Sequence, residues 1–300
     1  GLPMAAQSLH AERRREERAA WLLLAPYLLM FLAFLVYPSL QGLYLSFTDA
    51  RLGRAAMPWV GLENYQYVLT DSLFHTTVIN TLVFVLESTP LLIVIPLALA
   101  VALNRALPLR AFLRGAFFVP FTLSVSVVGI TWWWLLQPQF GLVNVYLQSL
   151  GVTPPGWFQS GGWAMFAVVL ATVWWTAGYN LVLFLAGLGA IPQSVYEAAK
   201  IDGATWWHEF WYVTLPLLRP TMLLVVVIQV IASFQVFGQV FVITTGGPGD
   251  TTRTVIQYVY EAAFVNQRLG DGSAAAWVLF VVILIFSVVQ FRVLRGHTEY

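Results

Sequence analysis

Six segments of this sequence stay apolar for about the 20 residues that an α-helix needs to cross a hydrocarbon core of roughly 30 Å. They run from Trp21 to Leu40, Val78 to Leu103, Phe117 to Leu136, Trp163 to Leu188, Thr221 to Ile243 and Ala274 to Phe291. Inside lipid every backbone N–H and C=O must find its partner within the protein, which leaves only helices and closed barrels. Barrel strands alternate apolar and polar residues, and none of these segments does. The expected fold is therefore all-α: a polytopic membrane protein of six transmembrane helices.

Composition agrees. The chain is 59% hydrophobic and only 10% charged, against about 25% charged in a soluble globular protein. Its 300 residues average a mean hydropathy of +0.75. There is no cysteine, so disulfides, thiolate metal sites and cysteine nucleophiles are excluded. A formal net charge of +1 offers no basic field to nucleic acid. The one lysine, Lys200, follows Tyr196-Glu197-Ala198-Ala199 rather than a glycine-rich loop, so the chain carries no phosphate cradle of its own.

Basic residues set orientation. Arg13, Arg14, Arg15, Arg18, Arg105, Arg110, Arg114, Lys200, Arg219, Arg292 and Arg295 fall on one side of the six segments, eleven in all, against Arg51, Arg54, Arg253 and Arg268 on the other. The positive-inside rule then puts both termini in the cytoplasm. The first segment is too long for the apolar region of a cleaved signal and no small-x-small site follows it, so it is expected to be retained. Gly1-Leu2-Pro3 ahead of Met4 reads as a remnant of cloning. The expected division is a cytoplasmic tail over 1–20 and a transmembrane domain over 21–300.

Of 29 charged residues, only Glu87 sits well inside a segment, and His10, His75, His208 and His297 all lie in loops or tails. Proton relays, cation pathways and intramembrane catalysis need more ionisable groups than that. No catalytic or metal-binding residue is expected, and the cargo reads as neutral. Glu87, beside Ser88, Thr89 and Pro90, has two readings. It is either functional, or protonated or hydrogen-bonded to a neighbouring helix where Pro90 and Pro96 free carbonyls of the preceding turn.

Between the fourth and fifth segments, residues 190–220 have structure written into them. Ser194 and Glu197 stand at capping-box spacing behind Pro192. Gly203 can end that helix in a left-handed conformation, and Thr205 can cap a second short helix whose exit is marked by Pro216 and Pro220. The expectation is two short helices lying under the membrane at roughly a right angle. Val195, Ala198, Ala199, Trp206, Trp207, Phe210 and Trp211 are available for packing.

Glu197-Ala198-Ala199, then Gly203, Val213, Leu215 and Pro216, resemble position by position the EAA motif of the inner-membrane permease subunits of binding-protein-dependent ABC importers. Val213 departs from the family's usual isoleucine by one methylene. Ala25-Pro26, Tyr37-Pro38, Leu45-Ser46-Phe47, Gly61-Leu62-Glu63-Asn64-Tyr65, Asn80-Thr81, Val119-Pro120, Gly141-Leu142-Val143-Asn144 and Thr245-Gly246-Gly247-Pro248 are similar to its carbohydrate branch, so the resemblance covers nearly the whole chain. The resemblance implies that the loop docks on a separate cytoplasmic ATPase dimer. Glu197, Ala198, Ala199, Asp202, Gly203, Leu215 and Pro216 would form the coupling element, with Glu197 meeting the ATPase and Gly203 supplying the bend. It implies that ATP and Mg are bound by the partner ATPase, with no cofactor in this chain. The implied partners are a second permease subunit and an extracytoplasmic solute-binding protein. The implied cargo is a sugar, and the implied location the cytoplasmic (inner) membrane of a prokaryote.

A pyranose is held by flat aromatic faces together with amides and hydroxyls. In the fourth segment Thr172, Trp175, Thr176 and Tyr179, with Asn180 next, share one helical face. In the fifth, Gln229, Ser233 and Phe237 make a stripe, with Gln235 and Gln239 on a second stripe turned away. Each is either a pathway residue or a polar side chain joining helices. Trp132-Trp133-Trp134, with Trp157 and Trp163, reads as an interfacial aromatic belt. Thr153-Pro154-Pro155-Gly156 and Gly246-Gly247-Pro248-Gly249 are outward surfaces where a binding protein could dock. An intramembrane transferase would need a carboxylate or histidine pair within reach of one interface, where only Glu87 is available, and a lone channel would leave the EAA loop unexplained.

Overall fold

A computed structural model of the chain describes residues 4–104 and 109–295. Gly1-Leu2-Pro3, Arg105 and His297 lie outside the described residues, as do the side chains of His10, Arg13, Arg14, Arg15 and Arg295. Among the described residues there are helices and two isolated β-bridges, Thr48 to Trp59 and Arg51 to Arg268, but no strand.

Among the described residues five helices are long and apolar enough to cross a membrane. They are α1 (Glu16–Leu45), α3 (Ser72–Leu103), α7 (Gly161–Gly189), α9 (Trp206–Phe234) and α12 (Leu269–Val293). Shorter helices fill the connections: α2 (Glu63–Thr70), α6 (Leu142–Ser149), α8 (Gln193–Ile201), α10 (Gly238–Ile243) and α11 (Val255–Val265).

The third expected span, Phe117 to Leu136, is not one helix. It is α4 (Arg110–Thr122) and α5 (Val125–Leu135), bent by 98°. Pro120 tightens the end of α4 into a 3-10 turn, and Leu123 and Ser124 are extended, with ψ of 149° and 148°. The Ser124 hydroxyl then accepts from the Val127 N–H at 3.4 Å and restarts the helix. Hydropathy does not register such a break because both halves are apolar.

The fifth span also differs from expectation. Helix α9 begins at Trp206, far upstream of Thr221, and stops at Phe234. Residues 209–214 form a wide π-helical turn, and Pro216 and Pro220 lie within the continuing helix instead of ending it. Such a turn makes up for backbone bonds that proline removes.

Helices α3, α7 and α9 form the centre. Leu92, Ala100, Leu181, Phe184, Leu218 and Val225 are buried between them. Phe74, Phe234, Tyr258, Ala274 and Ala275 close a second core where α11 and α12 pack on the start of α3 and the end of α9. Helix α1 stands away from this bundle, its apolar side chains exposed from Trp21 to Tyr37. Its last part, Tyr37–Leu45, packs on α12, and a Cβ at Gly42 would lie 3.9 Å from the Trp277 indole nitrogen.

Gly187 at one end of α7 packs on Leu218 and Thr221, while Gly161 at the other end packs on Thr251. The 190–220 segment and the 244–253 loop therefore sit at opposite ends of the bundle.

Candidate functional site

The 190–220 segment folds as helix, bend and helix. Helix α8 starts at Gln193 with Pro192 in the capping position and no side-chain cap. The expected Ser194–Glu197 capping box is thus not formed, because the helix begins two residues too early for Ser194 to precede it. Gly203 has φ of +80°, and behind it the Gly203 N–H donates to Lys200 O at 3.0 Å and the Ala204 N–H to Ala199 O at 2.9 Å. This left-handed helix end was expected of glycine. Thr205 does stand at the next helix start, but its hydroxyl meets His208 Nδ1 at 2.6 Å instead of a backbone N–H.

One face of α8 is tied to the bundle through the Tyr196 hydroxyl, 3.2 Å from the Thr214 hydroxyl. The opposite face presents Glu197, Ala198, Asp202 and Gly203 to solvent. Around them Ile201 is 86% exposed, and Trp207, Trp211 and Tyr212 are also open. Val213, Leu215 and Pro216 are partly covered, inside the lower part of α9. The second short helix expected to leave this loop at a right angle is the beginning of α9 itself.

Mid-bundle, α3, α4, α7, α9 and α10 enclose a cavity of about 240 Å³. Thr172, Thr176, Tyr179, Gln229 and Ser233 are among the residues that line it. The Tyr179 and Phe121 rings stack across it with centroids 5.1 Å apart and planes at 27°. Gly178 brings α4 against α7 here, since a Cβ would lie 2.1 Å from Phe117 O.

Two expected pathway residues lie elsewhere. Trp175 donates its indole N–H to Leu123 O at 3.2 Å and so holds the α4–α5 bend. Phe237 stands in the break between α9 and α10, against Phe241 at 5.2 Å and Tyr260 at 5.4 Å. The stripe pattern assumed an unbroken helix past Gln235. For the same reason Gln239, assigned to a face turned away, in fact lines the cavity. Phe84, Phe121, Ala232 and Val236 also line it. Gly238 was the one sequence sign of that break.

The polar groups of the cavity wall form a buried chain. Asn180 Nδ2 donates to Gln229 Oε1 at 2.8 Å, Gln229 Nε2 to the Ser233 hydroxyl at 3.1 Å, and the Thr89 hydroxyl to Ser233 at 3.3 Å. The Ser88 hydroxyl lies 3.2 Å from the same Ser233 oxygen. Gln229 and Ser233 thus join helices while edging the cavity. The Thr172 and Thr176 hydroxyls donate back to carbonyls of their own helix at 2.8 Å. Glu87 points away from the cavity, on the exposed face of α3.

The aromatic belt is also partly redirected. Trp157 is buried, its N–H donating to Asn144 Oδ1 at 2.8 Å, and Trp132 packs edge-on against Trp174 at 6.0 Å. Trp133, Trp134 and Trp163 remain exposed.

Residues 76–295 match the family model described as binding-protein-dependent transport system inner membrane component. The chain is 35% identical over 288 residues to the trehalose/maltose transport system permease protein MalF of Thermococcus litoralis, covering 95% of this chain and 96% of that protein. It is 34% identical over 278 residues to the sulfoquinovosyl glycerol transport system permease protein SmoG of Agrobacterium fabrum, covering 92% and 90%. Among solved structures it resembles a chain of a bacterial alginate ABC transporter in complex with an alginate pentasaccharide-bound periplasmic protein. The TM-score is 0.84 at 22% identity, over 96% of this chain and 98% of that one.

Proposed function

This chain belongs to the family of binding-protein-dependent transport system inner membrane components, and from that premise we propose that it is one permease subunit of an ATP-driven saccharide importer. Its cargo is a neutral sugar or oligosaccharide. The observation that carries this reading is the mid-bundle cavity: stacked Tyr179 and Phe121 beside the Gln229 and Gln239 amides, with no charged side chain among its lining residues. Aromatic faces and amides without charge suit a polyol ring and disfavour a bare ion.

The α4–α5 pair crosses as one broken span. Only then does the chain cross six times and keep its arginine-rich segments on a single side, as the positive-inside rule requires. Residues 1–20 are then a cytoplasmic tail, residues 21–300 the transmembrane domain, and both termini are cytoplasmic, in a prokaryotic inner membrane. This places α8 on the cytoplasmic face.

There the exposed Glu197, Ala198, Asp202 and Gly203 and the half-buried Ala199, with Leu215 and Pro216 at the root, form the coupling element. ATP and Mg bind to a separate ATPase dimer, whose closure moves α8. Because α8 is tied to α9 through Tyr196 and Thr214, that motion passes to the helix carrying Gln229 and Ser233 as a rigid-body shift. The cavity then opens alternately to either side. A second permease chain completes the pathway, since this chain carries one coupling loop and an ATPase dimer offers two docking clefts. A periplasmic binding protein delivers the cargo; the alginate transporter that this chain resembles is in complex with an alginate pentasaccharide-bound periplasmic protein.

The test combines two measurements. Calorimetric titration of the cognate binding protein with trehalose, maltotriose, arabinotriose and glycerol 3-phosphate should give binding by a neutral saccharide. Glu197→Ala in the reconstituted complex should abolish ATP-dependent uptake of that saccharide. Binding of the phosphate alone, or uptake indifferent to Glu197, overturns the reading.

A further inference from the structure

At the end of the bundle away from α8, a groove of about 470 Å³ lies between the α5–α6 turn and the loop that follows α10. Trp133, Phe158, Gln137 and Gln139 line it, with Thr244 and Thr245 opposite in sequence, and no charged residue takes part. It shares no lining residue with the mid-bundle cavity. The two are adjacent all the same, because Gln239 of α10 lines the cavity while Val242 and Ile243, one turn on, line the groove.

Both walls are held in place by buried and part-buried hydrogen bonds. On the first, Asn144 Nδ2 donates to Gln137 O at 2.9 Å, and the Trp157 indole donates to Asn144 Oδ1 at 2.8 Å. Gly141 closes this turn at a point where a Cβ would lie 2.4 Å from Leu135 O. On the second, the Thr252 hydroxyl donates to Gly247 O at 2.8 Å and Gln257 Nε2 to Thr245 O at 3.2 Å. Asn80 Nδ2 ties the same loop to α3, donating to Asp250 O at 2.6 Å and Arg253 O at 3.0 Å.

Within this fixed frame the side-chain amides of half-buried Gln137 and exposed Gln139 are turned to the open groove without a described protein partner, and Trp133 is 42% exposed. A rigid concave surface with an open indole and two unused amides has the makings of a ligand site, and its volume lies in the usual range for one. An aliphatic tail would leave both amides unpaired, and an anion would find no cation.

We propose that this groove is an outer saccharide subsite, which holds one end of an oligosaccharide while the next unit enters the mid-bundle cavity along α10. The proposal rests on the saccharide reading above and deepens it. It assigns Trp133 to the apolar face of a sugar ring and Gln137 and Gln139 to its hydroxyls.

The test uses the complete importer with its binding protein, reconstituted in liposomes. Initial uptake is followed for trehalose, maltotriose and arabinotriose in wild type, Trp133→Ala, Trp133→Phe, Gln139→Leu and Tyr179→Ala. For the saccharide that wild type transports, KM should rise about fivefold to tenfold in Trp133→Ala and Gln139→Leu, the loss expected of one stacked ring or one hydrogen bond. Trp133→Phe should restore most of it. Capture of the binding protein by the purified complex should stay at the wild-type level in all variants.

An unchanged KM in both groove variants, with a raised KM in Tyr179→Ala, overturns the outer subsite and leaves the saccharide reading standing. Weakened capture of the binding protein would reassign the groove to a protein contact. Failure of wild type to take up any of the three sugars sinks both.

Discussion

The amide of Asn180 on α7 donates to the carbonyl of Leu92 on α3 at 2.8 Å, and that carbonyl is one that Pro96, four residues on, cannot bond. A proline in a helix interior removes the N–H that would have satisfied the preceding turn, and in lipid no water can take its place. A neighbouring helix supplies the donor instead. The same Asn180 amide reaches Gln229, so one side chain fastens α7 to both α3 and α9 beside the cavity.

Asn180→Leu should therefore destabilise the purified complex by about 1–2 kcal/mol, the cost of leaving a buried carbonyl without its donor. The measurement is the thermal midpoint of the assembled protein. Pro96→Ala restores a backbone N–H at the right place, so the double variant should lose less than the two single changes added together. Strict additivity would show that the Leu92 carbonyl is not the point of coupling.

Gly203→Val should uncouple ATP hydrolysis from transport. The position has φ of +80° but open space around a Cβ, so the effect is one of backbone conformation, of the order of 1–3 kcal/mol for a branched residue. Gly203→Asn, which tolerates that conformation better, should keep most uptake. Equal loss in both variants would point to side-chain crowding against the ATPase.

Trp175 and Tyr179 should part company under mutation. Tyr179→Ala opens the cavity wall and should raise the KM for saccharide uptake, with little change in thermal stability. Trp175→Phe removes the donor to Leu123 O and should lower the thermal midpoint with little change in KM. A raised KM in the Trp175 variant would return it to the pathway.

Gly178→Ala should prevent accumulation of folded protein. The added methyl would meet Phe117 O at 2.1 Å, a backbone clash that side-chain repacking cannot relieve, and overpacking of this kind costs about 1–3 kcal/mol or more. Gly189→Ala, where nothing lies within 4 Å, is the matched control. The fraction of monodisperse protein after gel filtration distinguishes them.

Much of this protein was legible in one dimension. Lipid demands long uncharged helices, so α1, α3, α7 and α12 could be located by counting apolar residues. The helix and bend of residues 190–220 were legible because Gly203 marks the point where the backbone turns left-handed. The face of α7 carrying Thr172, Thr176 and Tyr179 was legible for a similar reason, since α7 has no break between them.

What the sequence could not decide is where apolar helices stop being straight. The α4–α5 bend is held by Trp175, which is 52 residues away from Leu123 along the chain. The break after Phe234 turned Gln239 inward and Phe237 aside. Hydropathy is blind to both, because a bent apolar helix and a straight one have the same composition. The role of a polar side chain in lipid depends on which carbonyl a distant proline has left open, and the helix carrying that proline is brought alongside only by folding.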